Sequence, residues 1–487
     1  MITQSIQSLM NASGVRFGTS GVRGLVSALS PELCFAYTLA FLQVINAKSG
    51  SRVAIAMDLR PSSPDIAAAC ATAAKHLGVE VDFCGALPTP ALAYYAQTQN
   101  IPGIMVTGSH IPFDRNGIKF YGHLGEITKE DERAITNATI SLPDEISISP
   151  LPKINQDARK LYIKRYLNFF HKKSLIGMRV AFYEHSSVAR DLLPEVLEAL
   201  GATTVSLGRS DVFVPIDTEA VSLADVEQAR KWAETVGFDA IISTDGDADR
   251  PLIGDELGNW LRGDVVGLLC AEALGAKSVV TPVSSNTAIE LSGYFSKVVR
   301  TRVGSPYVIE AMSALIADGD ESVVGFEANG GFLQGTLLER DGSALAALMT
   351  RDATLPIIAI LSLANTRKYT VSQLLADLPA RYTASDRLLS IPTASSVLVL
   401  KELALSMTAI GNLLVGLGGH PVAIDQTDGL RIFLDNGEIV HFRSSGNAPE
   451  LRCYAEANNQ ARANWLASEC LRLIGFYNNN FLKSTPL

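Results

Sequence analysis

Asp245-Gly246-Asp247-Ala248-Asp249-Arg250 sets three carboxylates at alternate positions around a glycine. That arrangement lets them converge on one hard cation through oxygen ligands, because like charges this close repel unless a cation lies between them. Asp245, Asp247, Asp249 and Glu256 also fall on the 1, 3, 5 and 12 positions of a calcium-binding helix-loop-helix. That reading fails on two counts: Arg250 stands where the calcium loop requires glycine, and Ala240 to Ser243 reads as a strand where a helix is required. The bland alternative is a solvated acidic turn.

A nucleophile is offered by Thr107-Gly108-Ser109-His110-Ile111-Pro112, which runs on through Asn116-Gly117 to Lys119. Ile101 to Val106 reads as a short buried strand, so Ser109 sits at a strand's carboxyl end, where open α/β sheets bind ligands. Gly108 is expected to let the backbone turn sharply, Pro112 to end the turn, and Lys119 to bring a cation to the same pocket. An incidental serine in a strand-to-turn connection is the competing reading.

Two further loops suit oxygen-rich ligands. Arg443-Ser444-Ser445-Gly446-Asn447-Ala448-Pro449 offers a guanidinium, two hydroxyls, an amide and backbone N-H groups, a set that can wrap a phosphate. Gly325-Phe326-Glu327-Ala328-Asn329-Gly330-Gly331 pairs one carboxylate with one carboxamide, as suits vicinal hydroxyls. Near the N-terminus, Phe17-Gly18-Thr19-Ser20-Gly21-Val22-Arg23-Gly24 has the composition of a loop whose amides and guanidinium face an anion. Serine-rich or glycine-rich turns are the structural alternative for each.

The elements that must position these loops follow a repeating order. Ser30-Pro31-Glu32 opens a helix carrying Leu33, Tyr37, Phe41 and Ile45 that stops before Gly50. Next come strand Val53 to Met57, a helix capped by Ser63-Pro64 and ending at Gly78, strand Val79 to Phe83, and Ile104 to Val106 leading into Ser109. The same order recurs from Val180 to Tyr183, through a helix over Leu192, Val196 and Leu200 and a strand near Val205, to Ala240 to Ser243 leading into Asp245. A third pass starts at Val279 to Thr281, takes a helix around Asn286 to Ser292 and a strand at Val298-Val299, and ends at Val323 to Phe326 leading into Glu327. This predicts an α/β protein built from three similar mixed-sheet domains with functional loops at equivalent places.

From Lys368 the pattern changes to α+β. A short helix (Val371 to Leu378) precedes a hairpin of Leu430 to Phe433 and Glu438 to Phe442 around Asp435-Asn436-Gly437; a strand at Leu451 to Ala455 and a helix carrying Leu466, Cys470 and Leu473 close the chain. The expected domains are 1–150, 151–256, 257–367 and 368–487, with linkers at Ile148 to Pro152 and Ala364 to Lys368.

With 487 residues, nearly half of them apolar, the chain is long enough for several buried cores. A net charge of -9 without a basic run argues against a nucleic-acid surface and leaves anionic small ligands open. Six scattered cysteines without a C-x-x-C pair read as reduced core residues. The start of the chain lacks the marks of a secretory signal and no apolar stretch approaches membrane-spanning length, so a soluble, cytoplasmic protein is expected, with no membrane partner.

The loops together, in this order and spacing from Phe17 to about Ala457, resemble the α-D-phosphohexomutases, the family of phosphoglucomutase, phosphomannomutase and phosphoglucosamine mutase. TGSHIP is similar to that family's serine loop, DGDADR to its magnesium loop, GFEANGG to its sugar loop and RSSGNAPELR to its phosphate loop. The resemblance implies four domains around a central cleft and a phosphosugar substrate. It implies that Ser109 is the phosphorylated nucleophile, that Asp245, Asp247 and Asp249 hold Mg²⁺ together with a phosphoserine 109 oxygen, and that a hexose 1,6-bisphosphate is the intermediate. It gives Glu327 and Asn329 to sugar hydroxyls and Arg443, Ser444, Ser445, Gly446 and Asn447 to the non-reacting phosphate. Lys119, Arg250 and Arg23 fall near the reacting centre, and His110 supports the serine loop.

The chain departs from the family pattern at Ile111, where asparagine is usual, at Ser20, where aspartate is common, and at Gly330-Gly331, where many bacterial members have a histidine. The FEANGG and RSSGNAPELRCYAEA segments resemble bacterial phosphomannomutases, so mannose is the expected sugar; glucose and (acetyl)glucosamine phosphates are the alternatives. A phosphosugar phosphatase, releasing inorganic phosphate, and a non-catalytic phosphosugar-binding protein are the rival classes. Monomer and homodimer are both open.

Overall fold

A computed structural model describes residues 2–18, 20–123, 125–445 and 449–484. The chain divides into two compact units, one of Met1–Val279 with Met312–Leu375 and the other of Val280–Ala311 with Ala376–Leu487.

The first unit begins with a mixed sheet in the order Arg16–Phe17, Val22–Leu25, Arg115–Gly122, Gly103–Val106, Arg52–Met57, Glu80–Ala86. Its last three strands run parallel, whereas Arg115–Gly122 returns antiparallel to Gly103–Val106, with Val106 opposite Ile118. A second sheet repeats the plan: Thr203–Leu207, Arg179–Tyr183 and Ala240–Thr244 are parallel, and Pro251–Gly254 returns antiparallel with Thr244 opposite Pro251. In the third instance Val323–Phe326 and Phe332–Gln334 are antiparallel, Phe326 opposing Phe332, and Leu348–Asp352 follows antiparallel beyond them. The serine, aspartate and sugar loops therefore occupy one topological place, the connection from a buried strand to its antiparallel neighbour. That equivalence follows the expected repetition.

Local chemistry accounts for most elements. Ser30 caps the helix Pro31–Val44 by accepting from the Leu33 N-H, and that helix is buried along most of its length. The expected cap at Ser63 is displaced: the helix Ser63–His76 takes Ser62 as its N-cap without a side-chain bond, because Ser63 Oγ donates to Asp58 Oδ1 at 2.5 Å instead. Residues 148–152 form no helix or strand, but Ile148 and Leu151 pack on the first core. The expected linker Ala364 to Lys368 is overturned. Residues 364–367 are the last turn of the helix Thr354–Arg367, which Lys368 ends in the left-handed region, a helix so apolar that periodicity does not mark its boundaries.

The second unit holds an antiparallel sheet ordered Tyr382–Leu389, Glu450–Ala457, Ile439–Ser444, Leu430–Leu434, Pro421–Asp425, with the helix Gln460–Ser484 against it. The expected hairpin is present, with Leu430 opposite Phe442. The outer strands Tyr382–Leu389 and Pro421–Asp425 are additions, half exposed and so without an apolar signature. All six cysteines are buried and free. Among the described residues no single helix is long and apolar enough to cross a membrane.

Candidate active site

Ser109 is the residue of the serine loop that takes a left-handed backbone, at φ 52°, and it is buried. Gly108, expected to supply the sharp turn, is not in that region; it is glycine for another reason, since a Cβ there would lie 2.4 Å from Cζ and Nε of Arg60. Arg60 is the buried clasp of the loop. It donates to the carbonyls of Ser109 (2.8 Å), Ile111 (2.6 Å), Pro112 (2.8 Å) and Arg115 (3.1 Å), pairs with Asp58 (3.1 Å), and lies 4.0 Å over the Phe213 ring. Asp58 in turn accepts from Thr107 Oγ1 (2.8 Å) and the Gly108 N-H (3.2 Å), while Arg23 donates to the Thr107 carbonyl (2.6 Å). The unusual backbone of Ser109 is thus held from every side.

Ser109 Oγ donates to Asp245 Oδ2 at 2.6 Å, so nucleophile and aspartate loop meet directly. His110 Nδ1 accepts from Arg250 at 2.9 Å and lies 3.4 Å from Ser109 Oγ. An arginine only donates, so this ring carries its proton on Nε2. Burial first, and Arg250 second, push the His110 pKa down to about 3.

Asp245, Asp247 and Asp249 are fully buried, and their ligand atoms lie within 4.8 Å of one another. The two oxygens of each acid are used differently. Lys119 Nζ sits 2.7 Å from Oδ2 of both Asp247 and Asp249; Thr89 adds a bond to Asp247 Oδ2 (2.6 Å) and Arg351 one to Asp249 Oδ2 (2.9 Å). Oδ1 of Asp247 and Oδ1 of Asp249 are buried without a hydrogen-bond partner, Arg250 Nε lying 3.7 Å from the latter. Buried carboxylate oxygens left bare are costly unless a cation takes them, so this donor set fits a hard divalent ion. Burial, then Asp247 and Asp249, raise the Asp245 pKa well above the carboxylate range. Burial also works against the charge of Asp249, but Arg351 and Lys119 override it and hold its pKa below the usual value. Glu256 is elsewhere, accepting from the Ser372 N-H at 3.3 Å, which removes the calcium-loop reading.

The sugar loop is a tight turn in which the Gly330 N-H bonds the Glu327 carbonyl (2.9 Å) and the Gly331 N-H bonds Asn329 Oδ1 (2.9 Å). Asn329 Oδ1 is therefore engaged, leaving its Nδ2 as the group to present. Thr218 donates to the Asn329 carbonyl at 2.7 Å, and a Cβ at Gly263 would lie 2.1 Å from the Gly330 nitrogen, so the loop is packed on both flanks. Glu327 pairs with Arg351 at 3.3 Å.

In the second unit, Arg443 pairs with Asp428 at 2.8 Å; the other Asp428 contact to a neighbouring loop comes from the Val303 N-H at 3.0 Å. Ser444 Oγ accepts from Ser396 (2.8 Å) and the Ser445 N-H donates to the Glu450 carbonyl (2.9 Å). Gly446 and Asn447 lie outside the described residues.

The expected residues Ser109, His110, Lys119, Arg250, Arg23, Asp245, Asp247, Asp249, Glu327 and Asn329 all belong to the first unit. Four contributors escaped sequence reasoning: Arg60, Asp58, Thr89 and Arg351. The Asp58-x-Arg60 pair at the end of a buried strand was a signal of the same kind as the others; Thr89 and Arg351 lie in helix and strand with no local mark.

Family models described as phosphoglucomutase/phosphomannomutase α/β/α domains I, II and III match residues 14–143, 160–258 and 262–382, and that of the C-terminal domain matches 376–473. A phosphomannomutase of Salmonella muenchen is 48% identical over 463 residues, covering 93% of this chain and 94% of that protein. Another, of Sinorhizobium fredii (strain NBRC 101917 / NGR234), is 43% identical over 470 residues, covering 95% and 99%. The crystal structure of a phosphoglucomutase/phosphomannomutase family protein of Burkholderia thailandensis shares the fold, with a TM-score of 0.72 at 18% identity over 94% of this chain and 97% of its own.

Proposed function

We propose, for a chain that belongs to the phosphoglucomutase/phosphomannomutase family, that its reaction is the interconversion of hexose 1-phosphate and hexose 6-phosphate, with mannose as the preferred sugar. The observation that carries this reading is the 2.6 Å contact of Ser109 Oγ with Asp245 Oδ2, beside one buried oxygen on each of Asp247 and Asp249 that accepts no hydrogen bond. A serine so placed can be a phosphoryl acceptor next to a cation site. The choice of mannose rests on the two phosphomannomutases to which most of the chain is similar.

In the working cycle phosphoserine 109 gives its phosphoryl group to the free hydroxyl of the bound monophosphate. The Ser109 O-P bond breaks, a bond from phosphorus to the sugar oxygen forms, and the sugar hydroxyl's proton passes in net to the Ser109 oxygen left behind. The resulting hexose 1,6-bisphosphate is the intermediate; its other phosphate returns to Ser109 and releases the isomer. In the unphosphorylated enzyme the Ser109 hydroxyl donates to Asp245 Oδ2; once Ser109 is phosphorylated that donor is gone, and Oδ2 would be free as a ligand. Asp245, Asp247 and Asp249 with a phosphoserine oxygen would hold Mg²⁺, which when bound neutralises charge on the transferring group. Lys119 takes Oδ2 of Asp247 and Asp249, and Arg351 that of Asp249, so Oδ1 of these two acids would be the oxygen left for the ion. Asn329 Nδ2 and Glu327 are assigned to sugar hydroxyls, and Arg443, Ser444 and Ser445 to a grip on phosphate.

Mannose 1-phosphate offered to the purified protein with Mg²⁺ should become mannose 6-phosphate without release of inorganic phosphate, followed by ³¹P NMR. Peptide mass spectrometry of fresh protein should find phosphate on Ser109. Near wild-type turnover in Ser109→Ala, or stoichiometric phosphate release, would refute the reading.

A further inference from the structure

Among the described residues, Arg351 is the one group that bonds both the metal-binding and the sugar-binding acids described above. It lies on the strand Leu348–Asp352, and its guanidinium is almost wholly buried. Nη2 and Nε donate to Asp249 Oδ2 at 2.9 and 3.2 Å, and Nη1 to Glu327 Oε2 at 3.3 Å. The planar fork of an arginine can serve two carboxylates at once in this way, whereas a lysine offers a single point charge.

Its backbone is also pinned. The next residue, Asp352, accepts from Tyr162 at 2.6 Å, from Tyr166, and from the Thr354 N-H at 2.9 Å, all buried. The pairing of this strand with Phe332–Gln334 carries an irregularity between Phe332 and Gln334, a feature that re-aims a side chain. Space for the stem comes from Gly331: a Cβ there would lie 2.5 Å from Arg351 Cδ and 2.8 Å from Cγ. Gly331 does not have a left-handed φ, so nothing in its backbone demands glycine; the arginine stem does, with Asn329 Oδ1 the next atom at 3.1 Å.

We propose that Arg351 is a positioning residue that couples the two loops: it fixes Asp249 so that Oδ1 is the oxygen offered to the metal ion, and it fixes Glu327 for the sugar. Gly331 is its steric counterpart. The proposal rests on that reading of the site, its first half on Asp249 as a metal ligand and its second on Glu327 as a substrate contact.

The test uses full-length protein carrying Arg351→Met, Arg351→Lys or Gly331→Ala. The readouts are Mn²⁺ affinity by titration calorimetry, and KM and kcat for hexose 1-phosphate. Loss of an outer partner of a metal ligand typically weakens metal binding by about 10–100-fold, so Arg351→Met should fall in that range. Arg351→Lys should recover much of the metal affinity through its charge while KM stays raised by roughly tenfold, because one ammonium cannot span both acids. Gly331→Ala should resemble Arg351→Met, and Arg351→Met combined with Gly331→Ala should be no worse than either alone. Mn²⁺ affinity and KM within about twofold of wild type in Arg351→Met overturn the proposal; if that variant does not fold, the same result in both Arg351→Lys and Gly331→Ala does so. Should the wild type convert no hexose phosphate, the mutase reading fails, and the Mn²⁺ titrations still decide the metal half by themselves.

Discussion

Replacing Gly108 by alanine should damage the serine loop through Arg60 alone. Gly108 has no left-handed φ, so alanine brings no backbone strain, and by itself would stabilise slightly by restricting the unfolded chain. The added Cβ, however, would lie 2.4 Å from Cζ and Nε of Arg60 and 2.7 Å from Nη2. Arg60 cannot retreat: four backbone carbonyls, Asp58 and the Phe213 ring hold it, and its side chain is wholly buried. Relief requires either a shift of the loop or loss of some of those charge-assisted bonds. Overpacking costs about 1–3 kcal/mol and a hydrogen bond to a charged group about 1.5–3 kcal/mol, so the net loss should be about 3 kcal/mol.

The assay is urea unfolding followed by tryptophan fluorescence in a Trp465→Phe background, which leaves Trp232 and Trp260 as reporters of the first unit. Gly50→Ala is the control: φ is 82° there and nothing lies within 4 Å, so only backbone strain, about 1–2 kcal/mol, is expected. In a cycle with Arg60→Ala, the two losses should fall short of additive by about 1–3 kcal/mol, because removing the guanidinium makes room for the methyl group. A Gly108→Ala protein within about 0.5 kcal/mol of wild type, or strict additivity with Arg60→Ala, would show that the contact does not govern the position.

Chelation should abolish turnover and Mg²⁺ restore it, and Asp247→Ala should lose activity even at saturating Mg²⁺; full activity after exhaustive EDTA would remove the metal assignment. Among mannose, glucose, glucosamine and N-acetylglucosamine 1-phosphates, mannose should have the highest kcat/KM; a glucose preference above about tenfold, or roughly 1.4 kcal/mol, would make glucose the substrate. His441 gives a pH signature in the second unit. Burial lowers its pKa to about 4, with Nε2 bonded to the Asp428 carbonyl at 2.6 Å. Folded His441 refuses a proton that the unfolded chain accepts near pH 6.5, so its contribution is complete above that pH and is lost as pH falls toward 4. By pH 5 the loss should be on the order of 2 kcal/mol, and His441→Gln should flatten that part of the stability profile; an unchanged slope would contradict the assignment.

Residue type and spacing alone determined the chemistry-bearing loops, because their groups are local: three acids within five positions, a serine after a buried strand, a glutamate and an asparagine in one turn. Alternation of strand and helix was enough to place those loops on equivalent connections, since one buried strand period recurs three times before them. Edges and all-apolar helices escaped, as with Tyr382–Leu389 and Thr354–Arg367, because half exposure erases the strand signal in one and complete burial erases the helix period in the other.

What the sequence could not decide was which atoms meet. Gly108 read as a turn residue and is a space for Arg60, 48 positions away in the chain; Gly331 read as a missing histidine and is a space for Arg351. Likewise, that Lys119 takes Oδ2 of Asp247 and Asp249, and Arg351 that of Asp249, while Oδ1 of these two acids accepts no hydrogen bond, is a matter of distances across separate sheets. Glycine and arginine carry no local pattern that names a partner. Their roles arise only when folding brings a stem against an absent side chain, and that is set by packing in three dimensions.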